Sequence, residues 1–457
     1  MIERWTAQAA GAYRRWKYRD RFQIVDETLR LTHLPAEELD RAVWGRLHDL
    51  LAYAHNAIPF YQETFRARGV TPETIRSWND FAARMPILTK RDIQEHLDRL
   101  VAPNQAEIGG RVNHTGGSTG EPLTFYQDDN YRAHSSAGFA VLNDLFGMRH
   151  GDRTAWFWGS DYDNRAHETL RGRLRDRFLN NTLHINTFDL DRARAIAALS
   201  RLTVWRPKFV LGYVSSLTMI ARIAQEEGLA LPPVRGVQTT AEQLMDPQRR
   251  LLQEVFGGPV FNRYGAREVG AIAMDCAHHH GLHIITPNNI VEVVDEEGRP
   301  APTGQIGRIL ITNLHNRAMP FIRYEIGDLG ALSAERCPCG RGLPLLQEVA
   351  GRISDVIVSP GGKLLHGEFF THLFYNVQGV RQFQVVQETR ANLRVRIVPQ
   401  NAEINLTAVE AFIRQTVAEH GDPAFRLHFE IVEHIPASPS GKHRFVRSEV
   451  WEDTDGR

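Results

Sequence analysis

The spacing of hydrophobic positions changes along this 457-residue chain, and the changes divide it into regions. Up to about residue 100 the pattern is helical. Leu47, Leu50, Leu51 and Ala54 recur at the three- and four-residue steps of one helix face, ahead of the turn at Pro59. From about 110 to 315, short apolar runs alternate with amphipathic stretches. The runs predict strands at Thr154–Trp158, Lys208–Tyr213, Val234–Thr239 and Pro259–Tyr264. Between them the spacing predicts helices at Asn130–Phe146, Asp191–Leu202, Ser215–Glu227 and Pro247–Phe256, with Asp129, Asp189 and Ser215 or Ser216 placed to cap three of them. Alternation of strand and helix predicts an α/β domain with a parallel or mixed sheet.

A strand-rich stretch follows, at His283–Ile285, Ile290–Val294 and Arg308–Thr312, with a turn at Asp295–Gly298. The last hundred residues change again. Strands at Val356–Ser359, Gln382–Glu388, Leu393–Val398 and Arg426–Val432, interrupted by a helix at Thr407–Glu419, predict a small separate α+β domain. The expected division is a large α/β domain over 1–352 and a smaller one over 353–457.

Charge narrows the function classes. Lysine plus arginine and aspartate plus glutamate are balanced at 54 each, so no net field draws the chain to nucleic acid or to an anionic membrane. No apolar run approaches the roughly 20 residues of a membrane span. The first residues lack the apolar core of a signal peptide, and three cysteines are too few for a disulfide framework. The expectation is a cytoplasmic protein with no nucleic-acid partner and no membrane span.

Five segments carry candidate chemistry. Asn113–Pro122 reads Asn-His-Thr-Gly-Gly-Ser-Thr-Gly-Glu-Pro. Glycines allow successive N–H groups to face one point and form an anion-binding concavity, to which Thr115, Ser118 and Thr119 add hydroxyls. The spacing is neither that of a Walker loop nor that of a dinucleotide fingerprint. Tyr264-Gly-Ala-Arg-Glu268 follows an apolar run, where the ligand edge of an open α/β sheet lies. Its Tyr264 offers a stacking ring and its Glu268 a carboxylate for magnesium. Asp328, Gly351–Asp355 and Ser438–Arg444, with Lys442, complete the set.

Taken together and in this order, these segments resemble the adenylate-forming superfamily. More narrowly they resemble the phenylacetate–CoA ligase family and its CapK-like branch, as do Tyr53–Tyr61 and Thr312–Tyr324. The resemblance implies ATP-dependent activation of a carboxylic acid as its acyl-AMP, then transfer to CoA. In that family Thr115, Gly116, Gly117, Ser118, Thr119 and Gly120 would embrace the ATP phosphates. Thr240, Ala241 and Glu242 would border the adenine, and Tyr264, Gly265 and Arg267 would lie in the same nucleotide site. Glu268 would hold Mg2+, while Asp328 and Arg352 would hold the ribose. Asp355 would be the hinge of a C-terminal lid, and Lys442, with Glu268, Thr115 and Thr119, would act at the reacting centre. A homodimer is common among such proteins.

The chain departs from the phenylacetate-ligase pattern at two places, and the second leaves the acceptor open. Arg267 stands where Thr or Ser precedes the glutamate in many relatives, and Ser359–Gly367 lacks the Gly-x-Asn-x-Phe-Pro pattern of CoA ligases. The alternative acceptor is an amine, an amino acid or a carrier-protein thiol, giving an amide or ester ligase. Outside catalysis, a nucleotide-binding scaffold would not need Glu268, Asp328, Arg352 and Lys442 together. Trp158 and Tyr213 at strand ends are candidate acid-pocket residues.

The three cysteines, Cys276, Cys337 and Cys339, fall near a histidine cluster, His278, His279, His280 and His283. Three thiolates and one imidazole would complete a closed tetrahedral Zn2+ site within about 276–339, one that stabilises and leaves no position for substrate. The family resemblance points to His283 as the fourth ligand.

Overall fold

The computed structural model describes residues 19–115, 123–158, 169–187, 192–352, 357–361, 364–365, 369–370, 373–374, 377–400, 404–436 and 445–450. These form two compact units. One holds the chain up to Ile326 and Gly330–Val349, and the other holds Gly327–Leu329 and Ala350 onward.

The first unit begins with helices. Ala36–Ala57 buries Leu47, Leu50, Leu51 and Ala54 completely, as their spacing predicts. The helix Pro59–Arg68 starts with proline, whose missing N–H has no helical partner to lose there. A short antiparallel hairpin follows, β1 (Arg111–His114) with β2 (Thr124–Gln127). Then come β3 (Thr154–Trp158), β4 (Thr182–Asn186), β5 (Phe209–Tyr213), β6 (Gly236–Thr240) and β7 (Val260–Ala266). They run parallel, side by side in the order β4-β3-β5-β6-β7. On one face Phe157, Val210, Val237 and Val260 meet Leu199, Leu217, Ile220, Leu252 and Phe256 of the crossover helices. On the other, Phe209, Leu211 and Phe261 meet Val141, Leu142 and Leu145 of helix Asp129–Leu145. Burial on both faces is why β5, buried at every position, reads as an apolar run without alternation.

The sheet continues antiparallel through β8 (Gly270–Met274) and β9 (Leu282–Ile284). Beyond them lie β10 (Asn289–Val294), β11 (Gly307–Asn313), β12 (Tyr324–Leu332) and β13 (Leu345–Arg352). The whole is eleven strands in the order β10-β11-β12-β13-β9-β8-β7-β6-β5-β3-β4. Arg323, 2% exposed, crosses this core without an electrostatic fault. It pairs with Glu292 at 3.1 Å and donates to the carbonyls of Ala82 and Met85 at 2.6 Å each.

In the second unit β14 (Ile357–Val358) pairs with β15 (Leu364–Leu365). A second sheet joins β16 (Val380–Gln387), β17 (Asn392–Pro399), β18 (Arg426–Ile431) and β19 (Val446–Ser448) in the order β18-β17-β16-β19. Val409 and Ile413 of helix Leu406–Thr416 pack on Phe383, Val385, Val395 and Ile397. Among the described residues no helix is long and apolar enough to cross a membrane.

Several expectations shift by a turn or a strand. The run expected from Val234 pairs only from Gly236, where a Cβ would lie 2.7 Å from the Phe146 ring. The helix expected to end at Leu202 continues to Trp205, whose buried indole donates to Thr154 O at 2.9 Å. The C-terminal helix changes at Thr416 into a wider turn, Val417–Gly421. The sequence reading did not anticipate β4, β8, β12, β13 or the β1–β2 hairpin. β4 is a half-buried edge strand and β8 is built mostly of small residues, so neither shows a clear period.

Candidate functional site

The hydroxyl- and glycine-rich segment begins on β1, in the stretch of chain that leads to β2. At its neck Thr115 N–H donates to Leu123 O at 3.0 Å, and Leu123 N–H donates to Thr115 Oγ1 at 2.9 Å. Thr115 is thereby fixed, with its own hydroxyl proton still available. Gly116, Gly117, Ser118, Thr119 and Gly120 lie outside the described residues.

One side chain ties this hairpin to the glutamate segment. Gln127, on β2 and 7% exposed, donates from Nε2 to Arg267 O at 2.9 Å and to Glu268 O at 3.0 Å. Its Oε1 accepts from Asn113 Nδ2 at 3.0 Å. The sequence reading missed Gln127, because a lone glutamine at a strand end carries no signal. Glu268 is buried, and its carboxylate accepts from the Tyr324 hydroxyl at 3.2 Å. Tyr131 lies near it, and burial, with the Glu268 charge adding to it, pushes the Tyr131 hydroxyl above its ordinary range.

The turn that presents Glu268 is built by close packing. β7 shifts register against β8 between Tyr264 and Gly265, and a Cβ on Gly265 would meet Gly270 O at 2.8 Å. Tyr264 lies half-buried against the N-terminal core, and Arg267 is half-buried. At the end of β6, Ala241 takes a left-handed conformation (φ 72°), which an L side chain adopts at a cost of about 1–2 kcal/mol. Beyond it, Glu242 accepts from Ser215 N–H at 2.6 Å and from the Ser215 hydroxyl at 2.8 Å. This carboxylate satisfies a free N–H at the start of helix Val214–Glu226 and meets the positive end of its dipole.

The segments Tyr53–Tyr61 and Thr312–Tyr324 prove to be structural partners. Tyr53 donates to Arg317 O at 3.1 Å and Tyr61 to Pro320 O at 3.0 Å. Asp128 caps its own helix through Tyr131 N–H and also accepts from the N–H groups of Arg317 and Ala318. Asp328 is buried on β12, within the stretch Gly327–Leu329 that groups with the second unit. Arg352 ends β13, and Asp355 and Lys442 lie outside the described residues.

A row of side chains marks the carboxyl ends of the parallel strands. Trp158, Tyr213, Thr240 and Arg263 occupy neighbouring positions on β3, β5, β6 and β7, as the pairings one residue earlier and Tyr213↔Thr240↔Arg263 require. Registered residues of parallel strands share a face. The Trp158 and Tyr213 rings pack with centroids 5.0 Å apart. Arg263 was not anticipated, although a charged residue inside the run Pro259–Tyr264 was a visible anomaly.

The structure gathers Cys276, His283, Cys337 and Cys339, with one potential ligand atom from each and all four within 4.8 Å of one another. Cys276 Sγ lies 3.5 Å from Cys337 Sγ, and Cys339 Sγ lies 3.4 Å from His283 Nε2. Two neighbouring histidines are engaged elsewhere, His279 with Asp275 at 2.8 Å and His280 with Glu335. Burial, with Arg341 and His278 adding to it, holds His283 down to about 4, so its imidazole is neutral near pH 7.

Residues 357–449 match the family described as the CapK C-terminal domain. The phenylacetate-coenzyme A ligase of Thermus thermophilus is 25% identical over 393 residues, covering 84% of this chain and 85% of that protein. Protein CapK of Staphylococcus aureus is 23% identical over 417 residues, covering 89% and 88%. A crystal structure of 2-hydroxyisobutyryl-CoA ligase in the postadenylation state with an acyl-AMP superimposes with a TM-score of 0.72 over 93% of each chain, at 23% identity.

Proposed function

Because the chain belongs to the adenylate-forming enzymes of the phenylacetate–CoA ligase and CapK type, we propose that it joins a carboxylic acid to ATP as acyl-AMP, releases pyrophosphate and passes the acyl group to CoA. The observation that carries this reading is the Gln127 clasp. It joins the neck of the glycine-rich hairpin to Glu268 through two hydrogen bonds within one unit. In this reading the clasp ties the strand that follows the phosphate-receiving segment to the backbone that carries the carboxylate for the accompanying cation.

In this reading Thr115 and the backbone of Gly116–Gly120 receive the triphosphate, with Ser118 and Thr119 adding hydroxyls. Tyr264 and Gly265 meet the adenine beside the Thr240–Glu242 turn. Asp328 and Arg352 hold the ribose. A carboxylate attacking an α-phosphate brings two anions together, so positive charge at the reacting centre governs the rate. Glu268 would hold magnesium, which would supply part of that charge. Lys442 supplies the rest, and removing such a charge commonly costs about 10²- to 10³-fold in rate. Rotation of the second unit about Asp355 would then exchange the adenylating arrangement for the acyl-transfer one.

The cysteine cluster suits a structural zinc. Zn–S bonds of about 2.3 Å set tetrahedral sulfur–sulfur edges near 3.8 Å, close to the separation found here. Cys276, His283, Cys337 and Cys339 would form a closed set tying the turn before β9 to the turn before β13. Its contribution would be to folding, with no part in the reaction.

The test is pyrophosphate release across aryl, aliphatic and amino acids, with and without CoA. Acid-dependent release that rises sharply with CoA, together with acyl-CoA formation, supports the reading. Release accelerated only by an amine or a carrier-protein thiol moves the chain to the amide or ester ligases, a reading motivated by the unusual Ser359–Gly367 segment.

A further inference from the structure

Arg263 and Arg323 lie in the same unit, Arg323 buried and Arg263 half-buried, and they differ in what surrounds them. Arg323 has the Glu292 carboxylate and backbone carbonyls around its guanidinium. Arg263 has no carboxylate among the described residues. Its one hydrogen bond is Nη1 to the neutral Gln238 Oε1 at 3.3 Å, and its guanidinium lies 5.2 Å from the centre of the Phe139 ring. Nε is buried with no partner. Burial pushes its pKa down to about 10, with only Tyr213 acting in the opposite direction. A cation partly withdrawn from water, with an idle buried donor, is a costly arrangement unless an anion completes it.

Its place in the fold says which anion. Arg263 ends the row Trp158–Tyr213–Thr240–Arg263, on the edge of parallel strands where ligands of open α/β sheets bind. The row spans three strand spacings, about 14 Å. Two aromatic rings stand at one end of it and an unmatched guanidinium at the other. An apolar body against the rings and an acceptor-rich group against Arg263 would fill both.

We propose that Arg263 determines substrate specificity and that the acid is dicarboxylic: one carboxylate is adenylated, and the second meets the Arg263 guanidinium while the body of the molecule lies along Trp158 and Tyr213. This rests on the adenylation reading above and names its substrate class. A guanidinium is suited to this task because it presents parallel donors to both oxygens of a carboxylate.

The test is pyrophosphate release by the full-length protein on aryl and aliphatic dicarboxylic acids of graded length, each paired with its monoamide. The monoamide preserves size and removes the second charge. At least one diacid should exceed its monoamide in kcat/KM by about 10²-fold or more, the selectivity expected of a site built around a matching polar group. Arg263→Gln should bring that ratio close to one without altering the KM for ATP, and Arg263→Lys, which keeps the charge, should retain part of it. Equal use of diacids and monoamides by the natural protein overturns the proposal while leaving adenylation intact. So does an Arg263→Gln variant that slows every acid equally and raises the KM for ATP, which would place Arg263 on the nucleotide. If no acid releases pyrophosphate, the adenylation reading fails and the proposal falls with it.

Discussion

Replacing Gln127 by methionine removes one amide and nothing else of comparable size. Two carbonyls, the buried one of Glu268 and the part-buried one of Arg267, lose their donor, and Asn113 loses its acceptor. A buried acceptor left unsatisfied costs about 1–3 kcal/mol. Asn113 is half-buried and can turn to water, and the part-buried Arg267 carbonyl adds only about 1 kcal/mol to the cost at Glu268, so the loss totals about 2–4 kcal/mol. In a unit of this size that lowers the melting temperature by about 3–6 °C. The functional effect should be larger than this general weakening. With its backbone released, Glu268 can drift from the hairpin, and a misplacement of about 1 Å at a reacting centre can cost about 10²-fold. The assay is acid-dependent pyrophosphate release titrated in Mg2+ and in ATP, beside thermal melts. Gln127→Met should weaken the Mg2+ dependence and lower kcat/KM for ATP by about 10- to 100-fold. Asn113→Ala, which leaves both carbonyl bonds in place, should change either little. If Gln127→Met melts several degrees lower yet turns over ATP within about twofold of the natural protein, the clasp only stabilises and does not position Glu268.

Other consequences are open to measurement. Purified protein should contain about one zinc per chain, and Cys337→Ser or a strong chelator should lower the melting temperature while releasing it; metal-free protein with an unchanged melt would remove the site from consideration. The rings of His134 and His315 stack 3.5 Å apart and 9° from parallel, His134 on Asn130 O and His315 on Pro287 O. Burial holds both below the ordinary histidine value, with Arg46 opposing protonation of each and Arg317 that of His315, while Glu27 and Asp128 favour it at His134. Their folded pKa values are depressed, so the stability they contribute is present above about pH 6.5 and is lost as pH falls through the folded values. Melting temperatures should therefore decline between about pH 7 and 5, and His134→Gln with His315→Gln should flatten that decline; an unchanged slope would place the acid sensitivity elsewhere.

Sequence alone determined what is encoded locally. Residues buried on both faces of a strand are mostly apolar in a run, so β3, β5 and the start of β7 were legible, as were the helices between them. Glycine and hydroxyl clusters were legible because few backbones need them. The convergence of three cysteines was visible through their scarcity. The tertiary structure decided what depends on neighbours distant in the chain. It set Gln127 against carbonyls some 140 residues away. It chose His283 rather than His279 or His280 as companion to the thiols by pairing those two with Asp275 and Glu335. It buried Arg323 beside a counter-charge and left Arg263, half-buried, without one among the described residues. Hydrogen bonding and charge compensation between remote segments leave no period in a sequence, because either partner alone is an ordinary polar residue until the fold removes its water.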